Sequence, residues 1–494
     1  MKLKKLIALF IASMLLLGMF AACSDNSSTD TAETTKNNTG ETVAEDSVTE
    51  DTRIYANLPS DLDYGGYEFT VLYWLLESWE TTARTCRDIY AESQNGEPIN
   101  DAVYERNMAV EEKFNVKIKL QREDIGTMST SIRNNIAAGD AAYDAVYPRL
   151  VEGASLMSEG LFFDFNELTY VDLSQPWWDQ NAVASLSMNN KLYLVATDIN
   201  INDKDATAAI AFNKQIANDY NVPNLYEAVE NGTWTYDFMR TVYTDVAHDV
   251  NGDGIMDTND IYGFLGKNDV TVALFNGSGG KMIEKDANDM PYFAFNTERN
   301  ISATQKIVEL MIDADNFFNH QTAGIDDLAF TKMFEEGHGL FFWMRLDEVT
   351  NMRASDTDFG ILPTPKYSED QEKYWNTVSR HTTGLLSIPI TAEPDRTSVI
   401  LEALASESKY TLQPAYYEVS LLGKSTRDTE SEGMLEIIFE GRIFDLGSIF
   451  AFGGFEDQYM GLGKVGAATE VVSLYEKYEK PTNTAIEKFM DKFQ

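Results

Sequence analysis

The sequence has 494 residues, of which 79 are Asp or Glu and 39 are Lys or Arg, so its formal net charge is −40. A surface this acidic repels the phosphates of nucleic acid, which excludes nucleic-acid binding as the main function. Two cysteines exclude a disulfide-rich scaffold and a multi-cysteine metal site, and four widely spread histidines argue against a histidine metal site.

The first 22 residues have the pattern of a secretory signal peptide. Lysines precede an apolar run over 6–20, and small residues then lead to Cys23. Ala21-Ala22-Cys23 resembles the bacterial lipobox, in which the cysteine is acylated. We therefore predict lipid attachment at Cys23 and a location at the cell membrane, on its extracytoplasmic face. A plain cleavable signal with an incidental cysteine is the alternative.

Residues 23–59 are predicted to be a disordered tether behind the acylated cysteine. The stretch over 24–53 contains no aromatic residue and consists largely of Ser, Thr, Asp, Glu and Asn. Such a composition cannot bury enough apolar surface to fold. No second long apolar run follows, so the lipid anchor is the only membrane attachment that the sequence predicts.

From residue 60 the pattern alternates between strands and helices. A β-branched and aromatic run predicts a first strand over 67–74, and the strands over 115–120 and 143–147 alternate with helices over 100–114, 129–138 and 150–159. This order predicts a mostly parallel sheet with helices on both of its faces. Further strands are predicted over 191–197, 206–213, 339–343, 359–365 and 383–389, and further helices over 235–246 and 394–409.

Several short motifs occur along the chain in a characteristic order. They are GDAAYD over 139–144, EGLFFDF over 159–165, GTWT over 232–235, and DFGILPTPK over 358–366. Together with the lipobox, they resemble the extracellular solute-binding proteins of ABC importers, specifically the carbohydrate-type family 1 that is maltose-binding-protein-like. The resemblance extends over residues 60–410, and the last part of the chain matches less well.

The resemblance implies an α/β, two-lobe periplasmic-binding-protein-like fold of type II, whose discontinuous lobes are joined by crossing strands. Mapped onto this chain, lobe one covers 60–200 plus 368–412, and lobe two covers 201–367 plus 413–494. The crossings are expected near 198–205, 362–367 and 413–417. It also implies a non-catalytic monomer that captures a carbohydrate, such as an oligosaccharide, and delivers it to the permease subunits of an ABC importer.

The candidate ligand-binding residues follow the ends of predicted strands. Sugars stack on aromatic rings and exchange hydrogen bonds with planar polar groups, and sites in α/β sheets form at the carboxyl ends of strands. The candidates are Trp74, Glu77, Arg149, Asp198, Trp343, Arg345 and Arg380. Each of them can instead be a core or surface residue. Trp177, Trp178 and Trp234 are more typical of packing positions.

Residues 249–260 have the spacing of an EF-hand calcium loop. Ca²⁺ takes about six to eight oxygen ligands. The predicted donors are the side chains of Asp249, Asn251, Asp253, Asp257 and Asp260 and the carbonyl of Ile255. A strand pattern rather than a second helix follows the loop, so the prediction is a structural Ca²⁺ that staples a turn. The alternative is an acidic turn without an ion.

Two other functions remain open at this point. One is a secreted glycoside-acting enzyme with paired carboxylates, although no nucleophile elbow, P-loop or HExxH motif is present. The other is a solute-binding protein for a peptide or an anionic sugar. Arg149, Arg345 and Arg380 favour an anion if all three converge on the cleft, whereas the tryptophans favour a neutral sugar.

Overall fold

The computed structural model describes residues 53–76, 86–352, 355–421, 429–464 and 471–493. The predicted signal peptide, the lipid attachment site Cys23 and the candidate ligand residue Glu77 lie outside the described residues. All the helices and strands described belong to the unit that begins at Ile54. None of these helices is both long enough and apolar enough to cross a membrane.

The first sheet has three parallel strands in the order β2-β1-β3: β1 Tyr67–Leu75, β2 Val116–Asp124 and β3 Ala145–Tyr147. Helix α1 Pro98–Phe114 connects β1 to β2, and helix α2 Ile125–Ala138 leads from β2 towards β3. The strands are parallel because each connection contains a helix that returns the chain to the same edge. The predicted βαβ arrangement of this region is therefore confirmed.

Two segments predicted as strands, 191–197 and 383–389, do not form regular strands. They are paired through isolated backbone bridges. Val195 of the first segment pairs with Leu386 of the second, and Ser387 of the second segment pairs with Val146 of β3. The second segment therefore runs beside the first sheet without a continuous ladder. It ends at Pro389, which has no N–H to donate.

The second sheet is mixed and has five strands: β4 Ala208–Asn213, β5 Tyr262–Gly266, β8 Phe317–Asn319, β9 Gly339–Arg345 and β10 Phe359–Leu362. Their order in the sheet is β10-β4-β9-β5-β8. Strand β4 is antiparallel to both β9 and β10, whereas β5 is parallel to both β9 and β8. Two short pairs lie apart from this sheet: β6 Ile283–Lys285 with β7 Pro291–Phe293, and β11 Asn376–Thr377 with β12 Arg442–Ile443.

The remaining helices cover the two sheets and the segments between them. Up to β10 they are α3 Leu150–Ser158, α4 Gln180–Leu186, α5 Asn202–Asp205, α6 Lys214–Asp219, α7 Leu225–Glu230, α8 Tyr236–Thr244, α9 Val270–Gly277, α10 Glu298–Met311, α11 His320–Ala323, α12 Asp327–Glu335 and α13 Leu346–Met352. Beyond β11 they are α14 Pro394–Tyr410, α15 Leu412–Leu421, α16 Thr429–Glu440, α17 Leu446–Phe450, α18 Phe455–Met460 and α19 Val471–Met490.

The chain passes between the two sheets through the segments 198–207 and 378–384. The first contains helix α5 and leads directly into β4. In the second, Val378 pairs with Thr207, and six residues later Gly384 pairs with Arg149, beside β3. Both short segments are positions at which the backbone can act as a hinge.

The structure corrects two of the predicted crossings. Residues 362–367 stay with the second sheet, because Leu362 pairs with Ile210 of β4 and Lys366 pairs with Thr235 at the start of α8. The passage lies later, at 378–384. Residues 413–417 are helical rather than extended, because they fall within α15, which packs against α1.

Candidate functional site

Three of the predicted ligand residues line one small cavity beside the passage at 378–384. Trp343 and Arg345 extend from the end of β9, and Arg380 belongs to the passage itself. The cavity has a volume of about 50 Å³. Its other walls are formed by Ala206, Ala208, Asp269, Val272, Ala273, Thr377, Val378, Ser379, His381, Ser448, Glu456 and Met460.

The guanidinium of Arg345 is already paired within the protein. Its Nε lies 3.1 Å from Oδ1 of Asp347, and its NH2 lies 2.9 Å from Oε1 of Glu348. Burial lowers the pKa of Arg345, but the two carboxylates outweigh this effect and raise the pKa above its ordinary value. Arg345 is therefore permanently charged and internally neutralised.

Arg380 is held in the same way by groups of the C-terminal region. Its NH2 lies 2.5 Å from Oε2 of Glu456 and 3.1 Å from Oδ1 of Asp457, and its NH1 donates to the carbonyl of Ser448. Burial raises the pKa of Glu456 to about 8, against the lowering influence of Arg380. A carboxyl that binds a proton near neutral pH thus lies in the wall of the cavity.

The ring of Trp343 is buried, with 3% of the residue exposed. The ammonium of Lys267 lies 4.7 Å from the ring centroid, and 3.6 Å from Oε1 of Glu348. A cation at this distance occupies a face of the ring. In this structure Trp343 therefore does not offer the open stacking face that the sequence predicts.

Trp74 and Arg149 lie on the other side of the same passage, next to Gly384. A Cβ on Gly384 would come within 2.7 Å of the Trp74 ring, so glycine is needed for this close packing. Arg149 pairs through its backbone with Gly384, and its Nε lies 2.8 Å from Oε2 of Glu152. The two residues therefore flank the passage, although neither lines the cavity.

Asp198 does not line the cavity either. Its Oδ1 lies 3.3 Å from Nζ of Lys204, and its backbone carbonyl accepts a hydrogen bond from Gln413. Burial raises the pKa of Asp198, and Lys204 opposes that rise. Through these contacts Asp198 stabilises the conformation of the passage segment 198–207.

Sequence reasoning missed the cavity residues contributed by α9, α17 and α18. Asp269 precedes α9, and Glu456 lies on α18. No motif marks the C-terminal helices, and their place beside Arg380 arises only from the tertiary fold. His381 could have been predicted as a cavity residue, because it is adjacent to Arg380 in the sequence.

The packing role expected for three other tryptophans is confirmed. The indoles of Trp177 and Trp178 donate to the two carboxylate oxygens of Glu402, at 3.1 and 3.0 Å, and the indole of Trp234 donates to the carbonyl of Pro363 at 2.8 Å. All three rings are buried.

A larger groove of about 550 Å³ lies along α8, and it contains none of the predicted ligand residues. Its aromatic walls are Tyr220, Phe238 and Tyr367, and it adjoins the carboxylates of Asp237 and Asp245. Its size exceeds that of the cavity beside Trp343. The smaller cavity is the better candidate, because it lies where the chain passes between the sheets, and ligands of α/β proteins bind in such crevices.

The predicted calcium loop lies between α8 and β5, and most of it is exposed. Its carboxylates accept backbone hydrogen bonds: Asp249 from Gly252 and Gly254, and Asp260 from Val250. Within the described part of the chain, no group of three or more His, Cys, Asp or Glu side chains is placed to hold a metal ion. The calcium site therefore stays a prediction from the sequence.

No protein-family model and no curated protein matches the sequence. Solved structures are similar over most of the chain. The protein UspC of M. tuberculosis has 15% identity and a TM-score of 0.55, and the alignment covers 85% of this chain and 100% of that one. A cyclo/maltodextrin-binding protein complexed with maltotetraose has 14% identity and a TM-score of 0.52, with 87% and 99% covered.

An ABC substrate-binding protein from Listeria monocytogenes, in complex with cycloalternan, has 11% identity and a TM-score of 0.50, with 87% and 99% covered. At these identities the likeness concerns the fold alone. The two sheets and the passages at 198–207 and 378–384 agree with it. The chain therefore has the α/β, two-lobe fold of periplasmic-type solute-binding proteins, as predicted.

Proposed function

We propose that this protein captures a neutral carbohydrate between its two lobes and delivers it to the permease subunits of an ABC importer, without catalysis. Two proteins of similar fold hold oligosaccharides in their structures, one maltotetraose and the other cycloalternan. Lobe one would be built around the first sheet and lobe two around the second. Residues 368–377 would then belong to lobe two, since Gln371 donates to the carbonyl of Gly277 in α9.

The observation that carries the proposal is the convergence of Trp343, Arg345 and Arg380 on one cavity at the passage between the sheets. Ligand sites usually have volumes of about 300–1,000 Å³. The cavity has a volume of only about 50 Å³, and we infer that it is a contracted form of such a site. Ligand entry therefore requires the two sheets to move apart about the passage segments 198–207 and 378–384.

The pairing of the arginines favours a neutral ligand over an anionic one. Arg149, Arg345 and Arg380 are each bound to a carboxylate of the protein, namely Glu152, Asp347 and Asp457. An anionic sugar would have to displace these carboxylates and leave them unpaired, which is costly in a buried site. Neutral hydroxyl groups can be bound without breaking the pairs.

The attachment part of the proposal rests on the sequence. Acylation of Cys23 would hold the protein at the extracytoplasmic face of the cell membrane, and the residues between Cys23 and the unit that begins at Ile54 would give the binding domain its reach. A monomer is sufficient, since the three converging residues come from one chain.

A thermal-shift screen of the mature protein tests the proposed function. The panel contains maltotetraose, cycloalternan, cellotetraose and xylotetraose as neutral sugars, glucuronate as an anion and tetra-alanine as a peptide. A ligand that binds only the folded state raises the unfolding midpoint. We expect at least one neutral oligosaccharide to raise it and to be recovered intact. A rise with glucuronate or tetra-alanine alone, or hydrolysis of the sugar, would contradict the proposal.

We further propose that a structural Ca²⁺ binds the loop 249–260, on the evidence of its donor spacing. Removal of the ion with a chelator should lower the unfolding midpoint, because the clustered carboxylates then repel one another. Sugar affinity should not change: the strand β5 that follows the loop pairs at Tyr262 with Gly339, the first residue of β9, whereas Trp343 lies towards the other end of that strand.

Thermal unfolding with and without chelator, for the wild type and for Asp253→Ala, measures this effect. The variant should be insensitive to Ca²⁺. Equal midpoints for the wild type in both conditions would rule the site out.

A further inference from the structure

The indole nitrogen of Trp343 is buried and has no hydrogen-bond partner in the described part of the chain. Buried donors in folded proteins are nearly always paired, so an exception calls for an explanation. The equally buried Trp177, Trp178 and Trp234 follow the rule, because each of them donates to a carboxylate or carbonyl oxygen. Trp343 differs from them in that it lines the cavity beside the passage between the sheets.

One face of the Trp343 ring is already occupied. Lys267 lies over the ring, and it cannot leave freely because it is buried and lies 3.6 Å from Glu348. Glu348 is fixed in turn by Arg345, at 2.9 Å. Moving Lys267 away from the ring would leave a buried ammonium without its contacts beside this network, which is unfavourable.

Asp269, Thr377, Ser379, Ser448 and Glu456 also line the cavity, but none of them accepts a hydrogen bond from the Trp343 nitrogen. Ala206, Ala208, Val272, Ala273 and Met460 are apolar, and they form much of the cavity surface. An indole nitrogen can only donate. A partner for it must therefore bring an oxygen into the cavity, and a sugar hydroxyl or ring oxygen has this chemistry.

We propose that Trp343 recognises the carbohydrate by donating its indole N–H to a sugar oxygen, rather than by stacking its ring on the sugar face. This inference rests on the proposed function and assigns a specificity role within the same site. Such a contact discriminates strongly, because a ligand without an oxygen at that position would leave the buried donor unpaired.

The test compares Trp343→Phe and Trp343→Leu by titration calorimetry with maltotetraose, or with the neutral oligosaccharide of the screen that gives the largest midpoint rise. Phenylalanine keeps an aromatic face but loses the N–H. We expect both variants to bind about tenfold more weakly than the wild type. Near-wild-type affinity for Trp343→Phe with weak binding by Trp343→Leu would show stacking instead, and unchanged affinity for both would remove Trp343 from the site.

Two further measurements separate this inference from the proposed function. The first uses ligand-free protein, with Trp234→Phe as the matched control for Trp343→Phe. Both replacements make the same change in size, but Trp234→Phe breaks a hydrogen bond, the one to the carbonyl of Pro363. It should lower the unfolding midpoint more than Trp343→Phe does. An equal drop would show that the Trp343 nitrogen already has a partner, and would overturn the inference even if no sugar of the panel binds.

The second measurement uses protein labelled with ¹⁵N at the tryptophan indoles. The Trp343 signal is identified by its loss in Trp343→Phe, and we expect it to shift when the same oligosaccharide is added to saturation. A stationary signal at saturation would overturn the inference while leaving carbohydrate capture intact. If no carbohydrate binds the wild type, the proposed function fails, and the role assigned to Trp343 fails with it.

Discussion

Replacement of Arg442 by methionine should lower the free energy of unfolding by about 3–5 kcal/mol, the usual cost of leaving buried charges without their partner. Arg442 is buried on β12 and binds two carboxylates, Asp203 of α5 through NH1 and Asp179 through NH2. Burial lowers the pKa of Arg442, but Asp179 and Asp203 together outweigh this effect and raise it. Methionine fills similar space and leaves both carboxylates unpaired.

Urea denaturation measures this loss, with Arg133→Met as the control. Arg133 also pairs with one carboxylate, Glu159 at 2.7 Å, but both side chains are more than a third exposed. An exposed pair contributes roughly 0–1 kcal/mol, so the control should unfold almost as the wild type does. Adding Asp203→Asn to Arg442→Met should restore part of the stability, because it removes one of the two unpaired buried charges. Equal effects of the two single replacements would contradict the prediction.

The first half of the fold was predictable because its signals are local. The apolar and β-branched run over 67–74 has a single reasonable interpretation, and helix α2 ends at Gly139, whose φ of 71° suits glycine. The passage at 378–384 was not predictable, since its position depends on which sheet residues 363–377 contact. The two prolines after β10 marked the end of a strand but carried no information about the partner of Lys366.

The candidate site was predictable only in its residue types and strand ends. Trp343, Arg345 and Arg380 could be chosen because each of them lies next to the end of a predicted strand. Their partners Asp347 and Glu348 are adjacent in sequence and could have been considered. Glu456 could not, because it reaches Arg380 from a helix 76 residues further along the chain. The pairing of Arg380 is therefore a tertiary property, whereas the partners of Arg149 and Arg345 are local in the sequence.

Glu402 should make the protein less stable as the pH rises from about 4.5 to about 7. Burial raises the pKa of Glu402 to about 7 from the ordinary value of 4.5, although the indoles of Trp178 and Trp177 oppose this rise. Below pH 4.5 the carboxyl is protonated in both the folded and unfolded states. Between the two pKa values only the unfolded state loses the proton, so the stabilisation present in acid is lost. The difference corresponds to roughly 3 kcal/mol.

Glu402→Gln isolates this contribution, because the amide does not titrate. Free energies of unfolding measured from pH 4 to 8 should fall more steeply with rising pH in the wild type than in Glu402→Gln, with the difference confined to the window between about 4.5 and 7. Glu159→Gln is the control. The hydrogen bond from Arg133 is the largest cause that lowers the pKa of Glu159, so this carboxylate titrates below the window. The buried carboxyl that binds two indoles would then be protonated in acid and charged above neutral pH. Parallel pH profiles for the wild type and Glu402→Gln would show instead that the two indole N–H groups stabilise the carboxylate fully, and that Glu402 is ionised throughout the window.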